Sequence, residues 1–189
     1  MDRLVTEPGS VLAAAPDMLD PNFMHSVVLV CRHSDEGAYG FVINRPASVT
    51  LDVLAPDHPV LGKRPLPVFA GGPVGLDTLQ FLHRAGAAIP GGIEVGTGLF
   101  LGGDVDALGR YLDAQGERAA NSVRLLVGYS GWGAGQLEGE LAAGAWLPAA
   151  LENDWVFGEG TQAVWRSVLR SLGGDVSGLA DLPPDPSWN

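Results

Sequence analysis

The most chemically suggestive stretch of this chain is Gly128-Tyr-Ser-Gly-Trp-Gly-Ala-Gly135, which follows an apolar β-branched run and precedes residues with helical spacing. A nucleophilic serine needs such a setting, because a strained turn between strand and helix exposes its Oγ. Here Trp132 stands where that turn closes on a glycine, and spacing assigns Ser130 neither a histidine nor an aspartate. The same glycines could aim backbone N–H groups at a phosphate. No Lys-Ser or Lys-Thr follows them, however, and Glu138 and Glu140 would oppose an anion. The plain alternative is a tight turn with Trp132 packed beneath it.

A second candidate is Cys31-Arg-His33. On a regular strand Cys31 and His33 share a face with Val27 and Leu29. Arg32 and a protonated His33 could then lower the thiol pKa and create a redox-sensing thiolate. Otherwise Cys31 is a small buried apolar side chain. His25, His33, His58 and His83 lack metal-ligand spacing, and His33, Asp35 and Glu36 form either a weak cation holder or a solvated turn. Neither a metal site nor a cofactor is expected.

The remaining polar anchors are Asn44 and Arg45, with Pro46 holding Arg45 outside the helical region. They could cap a turn and pair with carboxylates, or line a pocket. Taken together, Asn44, Arg45, Gly71, Gly72, Pro73, Tyr129, Gly131, Trp132, Gln136 and Glu138 combine turn glycines with residue types suited to a ligand-facing rim. That composition favours a non-catalytic regulatory or binding protein. The rivals are a redox sensor using Cys31 and His33, and a hydrolase using Ser130.

The elements that must position these groups are short. Gly (27) and Pro (14) fall at many separate junctions, which suggests many brief elements and tight turns. Strands are expected at 10–14, 27–33, 39–43, 68–70, 79–83, 93–95, 99–101 and 123–127. Residues 27–33 and 39–43 read as an antiparallel hairpin around Ser34-Asp-Glu-Gly37. Thr50–Leu54 could form one helical turn. Asp104 caps a helix with apolar Val105, Leu108 and Leu112, and further helices are expected over 133–143 and 161–172. The tail from about 175 to 189 reads as irregular. Phe69-Ala-Gly-Gly-Pro-Val and Phe100-Leu-Gly-Gly-Asp-Val repeat F-x-G-G-x-V, two copies of one turn chemistry rather than an array. The expected architecture is a single α/β (α+β) domain with a mixed, mostly antiparallel sheet, open or rolled into a barrel, flanked by helices.

Composition narrows the function classes. Hydrophobic residues make up 46% of 189 and charged ones 17%, enough for one self-sufficient core. One cysteine excludes an internal disulfide. A net charge of −11 opposes direct nucleic-acid binding. No apolar run reaches the ~20 residues of a membrane span, and the start lacks a signal-peptide pattern, so a cytoplasmic setting is expected. A small-molecule ligand or a protein partner stays open, as does the oligomeric state.

Several of these segments together resemble the AlgH/YqgE family. They are Gly9–Phe23, Val27–Val30 with His33, Gly37–Pro46, Gly71-Gly-Pro-Val74, Gly128–Glu138, Trp146 and Pro186-Ser-Trp-Asn189, in family order across nearly the whole chain. Met24-His25-Ser26 departs from the family's Arg before Ser or Thr, and Ser130 stands where the family often has Ala. Some family members carry a counterpart of Cys31. The resemblance implies a compact cytosolic α/β protein without an assigned activity or cofactor. The family name suggests transcriptional regulation, which the acidic composition moves toward a partner rather than DNA.

Overall fold

The computed structural model describes residues 7–158 and 160–181. Ten strands make one curled sheet: β1 (Ser10–Ala14), β2 (Val27–Ser34), β3 (Gly37–Val42), β4 (Pro46–Thr50), β5 (Pro67–Ala70), β6 (Val74–His83), β7 (Ile93–Gly96), β8 (Leu99–Leu101), β9 (Val123–Gly133) and β10 (Trp146–Ala150). The order β10-β1-β2-β3-β9-β6-β8-β7 is antiparallel throughout. β4 pairs antiparallel with β5, and β5 runs parallel to β9. The sheet closes halfway toward a barrel, so the expected α+β domain forms as a half-barrel.

Helices α1 (Leu51–Leu54), α2 (Val105–Gln115), α3 (Gln136–Ala142), α4 (Asn153–Val156), α5 (Thr161–Leu172) and α6 (Gly174–Leu179) flank the sheet, with a 3-10 segment at Gly116–Asn121. The central strands are covered on both faces, which is why Val27-Val-Leu-Val30 shows no polar alternation. Val27, Leu29, Val11 and Phe41 pack with Val164, Trp165 and Val168 of α5. Val28, Val30, Leu12 and Val42 pack on the other face with Leu137 and Leu141 of α3 and with Trp132 and Trp146. A third core joins Leu108 and Leu112 of α2 to Val123 and Leu125 of β9 and Phe81 of β6. Each such side chain contributes about 1.5–3 kcal/mol on burial. Asp104 caps α2 as expected, accepting from the Ala107 N–H at 2.7 Å.

Several boundaries differ from the sequence expectations, each for a local reason. β9 does not stop at Val127 but runs on through Gly133, because β3 pairs with its second half: Gly40 opposes Ser130, Tyr39 opposes Gly131 and Gly37 opposes Gly133. The expected helix over 133–143 therefore begins only at Gln136. β6 starts at Val74, with an irregular register before Leu79. Two strands were unforeseen, β4 and β10, each carrying a proline. β10 ends the sheet path, where a missing donor faces no partner, and Pro46 is the first residue of β4. Of the tail expected to be irregular, Gly174–Leu179 forms α6. Residues 182–189, including Trp188, lie outside the described residues. Among the described residues, no helix is long and apolar enough to cross a membrane.

Candidate functional site

The candidate residues share one backbone seam, but their side chains leave it in different directions. At one end the Asn44 side chain is buried and fully engaged. It accepts from the Val27 N–H at 2.8 Å and donates to the carbonyls of His25 at 3.0 Å and Thr161 at 2.8 Å. It thus ties the start of β2 to α5 and steadies His25, whose φ of 56° is otherwise disfavoured. Arg45 donates to the carbonyls of Pro21 at 3.3 Å, Met24 at 2.8 Å and Asn22, closing the loop ahead of β2.

Next along the seam is a backbone crossing. β5 and β6 flank β9 on opposite sides, so the Gly71-Gly-Pro73 connection must pass over that strand. Any Cβ on Gly72 would collide with the Tyr129 backbone, and its φ is +153°. The Gly71 carbonyl accepts from the Val42 N–H at 2.8 Å and from Ser130 Oγ at 3.1 Å, while its N–H donates to Val127 O at 2.8 Å. Ser130 is fully buried in the middle of β9. The strand–turn–helix setting of a serine nucleophile is absent there.

The thiol hypothesis meets a different obstacle. β2 bulges between Val30 and Arg32, an extra residue that breaks the two-residue alternation. Cys31 turns toward the face holding Tyr39 and Tyr129. His33 lies opposite Ala38, which belongs to the other face. The expectation that Cys31 and His33 share a face is therefore corrected. Burial pushes the Cys31 thiol up to about 12, so it is protonated at neutral pH. His33 instead meets α3, its Nε2 lying 2.6 Å from Glu138 Oε1. Glu138's carboxyl is held below its ordinary range by a hydrogen bond to its own backbone, then by His33.

At the far end α3 carries a network that the sequence reading missed. Glu140 Oε2 accepts from the indole N–H groups of Trp132 at 2.9 Å and Trp146 at 2.7 Å. Its Oε1 accepts from Gln136 Nε2 at 2.9 Å, and Gln136 Oε1 accepts from the Gly133 N–H at 3.1 Å. Trp132 is thus a buried anchor, with Phe23 stacked 6.4 Å away. The i, i+4 spacing of Gln136 and Glu140 was its only sequence signal. Gly131 is exposed beside Tyr39.

Around this rigid end lies a cavity of about 150 Å³ between Arg32, Ser34 and Glu36 of the hairpin and Tyr39 and Trp132. Tyr39 packs 4.9 Å from Tyr129 and edge-on to Phe41 at 5.2 Å. Burial raises its phenol pKa, with Cys31 and Tyr129 adding to the effect. Arg32, Ser34 and Glu36 were not singled out for this role, because only the bulge and the pairing of β3 with β9 bring them to one rim. Among the described residues no cluster of His, Cys, Asp and Glu could hold a metal.

Residues 11–177 match the model of a family described as AlgH-like. The chain belongs to that family. Curated relatives of this AlgH-like chain extend over its whole length. A UPF0301 protein of Chlorobaculum tepidum is 38% identical, covering 98% of this chain and 97% of its own. One from Bacteroides thetaiotaomicron is 33% identical over 100% and 94%. Among solved structures, the AlgH protein from Pseudomonas aeruginosa superposes with a TM-score of 0.70 at 29% identity, covering 98% of each chain. A protein of Corynebacterium diphtheriae shares the fold at a TM-score of 0.77 and 23% identity, covering 96% and 95%. The biochemical function of the family is uncharacterised.

Proposed function

We propose that this AlgH-like chain is a non-catalytic regulatory protein that works by binding a protein partner. Its working surface would be the rim where the β2–β3 hairpin, the end of β9 and α3 meet. The observation that carries this reading is the cavity of about 150 Å³ between Arg32, Ser34, Tyr39 and Trp132. Small-molecule sites usually enclose ~300–1,000 Å³, so this one suits a single partner side chain rather than a whole cofactor. Guanidinium, hydroxyl and phenol groups at a rim offer both donors and acceptors to such a side chain, and the Glu140 network keeps the surface preorganised. The net charge of −11 favours a partner with a basic face over nucleic acid.

A photocrosslinking residue placed at Arg32 or Ser34, with one at Asp113 on α2 as a reference, tests this in cells of the source organism. The reading predicts a discrete crosslinked protein from the rim positions that is absent from the reference position. Its purified form should then quench or shift Trp132 fluorescence. Equal capture from both surfaces would sink the proposal. So would a metabolite that saturates the rim cavity while no protein is captured.

A further inference from the structure

The third core is left partly unfilled. Where α2, the 3-10 segment and β9 meet, a cavity of about 100 Å³ remains. Leu112, Val123 and Leu125 line its buried part. Ala119 and Ala120 supply only methyl groups where larger side chains would close the space, and exposed Ala120 and Asn121 stand at its mouth. Nothing in the sequence pattern marks this place, since its walls come from four separate segments.

We propose that this cavity is a binding site for the ring of a small, neutral, single-ring aromatic molecule, seated on Leu112, Val123 and Leu125 and bordered by Phe157 and by the Phe69–Arg124 pair. Size is the first reason. A dry cavity of ~150 Å³ accepts benzene, so a somewhat smaller one open at its mouth fits one ring and excludes a nucleotide. Wall chemistry is the second. Arg124 covers one face of Phe69 and Arg84 one face of Phe157, so each ring offers a ligand ring its edges or its other face.

These walls are also held in place. Arg124 Cζ sits 3.5 Å over the Phe69 ring, and its Nη2 donates to the Gly158 carbonyl at 3.0 Å. Arg84 Cζ sits 4.5 Å over the Phe157 ring. The two arginines thereby fasten the segment after α4 over the cavity, so the wall exists before any ligand arrives. The apolar floor decides the ligand's charge. Burying an ionised group against Leu112, Val123 and Leu125 is costly, so a polar substituent must point outward past Asn121. The site lies on β5 and α2, separate from the hairpin rim, and does not depend on the partner-binding reading.

Toluene, phenol and benzoate are suitable probes, followed by NMR through the methyl signals of Leu112, Val123 and Leu125 in the intact protein. Toluene and phenol should shift those methyls saturably and leave the Trp132 indole signal in place. Ala120→Trp, which covers the mouth from an exposed position, should weaken toluene binding at least tenfold. Ala119→Leu should do the same by filling the cavity from within. No saturable shift up to the solubility of toluene would overturn the proposal, as would toluene affinity unchanged in both variants. Benzoate binding ten times tighter than toluene would overturn the assignment to a neutral ligand.

Discussion

Ser130 Oγ donates to the Gly71 carbonyl at 3.1 Å, at the place where the chain leaving β5 crosses over β9. The hydroxyl that most resembled a nucleophile is thus a fastener between two backbones. The same carbonyl keeps a second donor in the Val42 N–H at 2.8 Å. Ser130→Ala should therefore lower stability by only about 1 kcal/mol in urea unfolding, the usual net value of one such bond. Fluorophosphonate labelling of the folded protein should be absent before and after the change.

Glu140 carries more. It is the acceptor for both Trp132 and Trp146, whose indoles are buried. Glu140→Ala leaves two buried N–H donors unsatisfied and should cost about 2–4 kcal/mol. Glu140→Gln keeps one acceptor oxygen and should cost roughly half of that on the same basis. Chemical denaturation gives the energies, and a changed tryptophan emission spectrum should accompany both variants.

Cys31 should react slowly. With its thiol pushed up to about 12 by burial, the thiolate is scarce at neutral pH. The higher intrinsic nucleophilicity of a weak acid offsets part of that deficit. Alkylation at pH 7.5 should still be on the order of a hundredfold slower in the folded protein than in urea. Labelling at the unfolded rate would overturn this account and restore the redox hypothesis.

His83 gives the fold an acid sensitivity. It is fully buried, its Nε2–H donates to the Gly102 carbonyl at 2.8 Å, and its Nδ1 accepts from the Ala85 N–H at 3.2 Å. That pattern fixes the neutral ring, and burial holds its pKa below the usual value, although the Gly102 bond works the other way. Burial similarly lowers His25, helped by Arg166 and Arg45. Both histidines bind a proton more readily when unfolded. Stability is therefore complete above about pH 6.5 and falls as pH drops below it toward the folded-state values. Urea midpoints measured from pH 7.5 to 5 should decline, and His83→Gln should flatten that decline.

The sequence by itself determined the elements whose burial is continuous or helically periodic. Val27–Val30 read as a strand from its β-branched apolar run between turn residues, and Val164, Trp165, Val168 and Leu169 read as the inner face of a helix. The capping by Asp104 was equally legible, since a cap is a contact across three residues. The family was legible too, because its motifs follow one another along the chain. What only the tertiary structure decided is where those side chains point. One extra residue at Cys31 sends His33 to the opposite face from the thiol, a reversal that sequence spacing cannot reveal. β9 continues through its glycines because β3 pairs with Ser130–Gly133, and the β5–β6 crossing needs Gly72 because Tyr129 lies beneath it. Both depend on partners about 60 to 95 residues away in the chain. Local pattern sets an element's type, whereas register and crossing are set by contacts between distant segments.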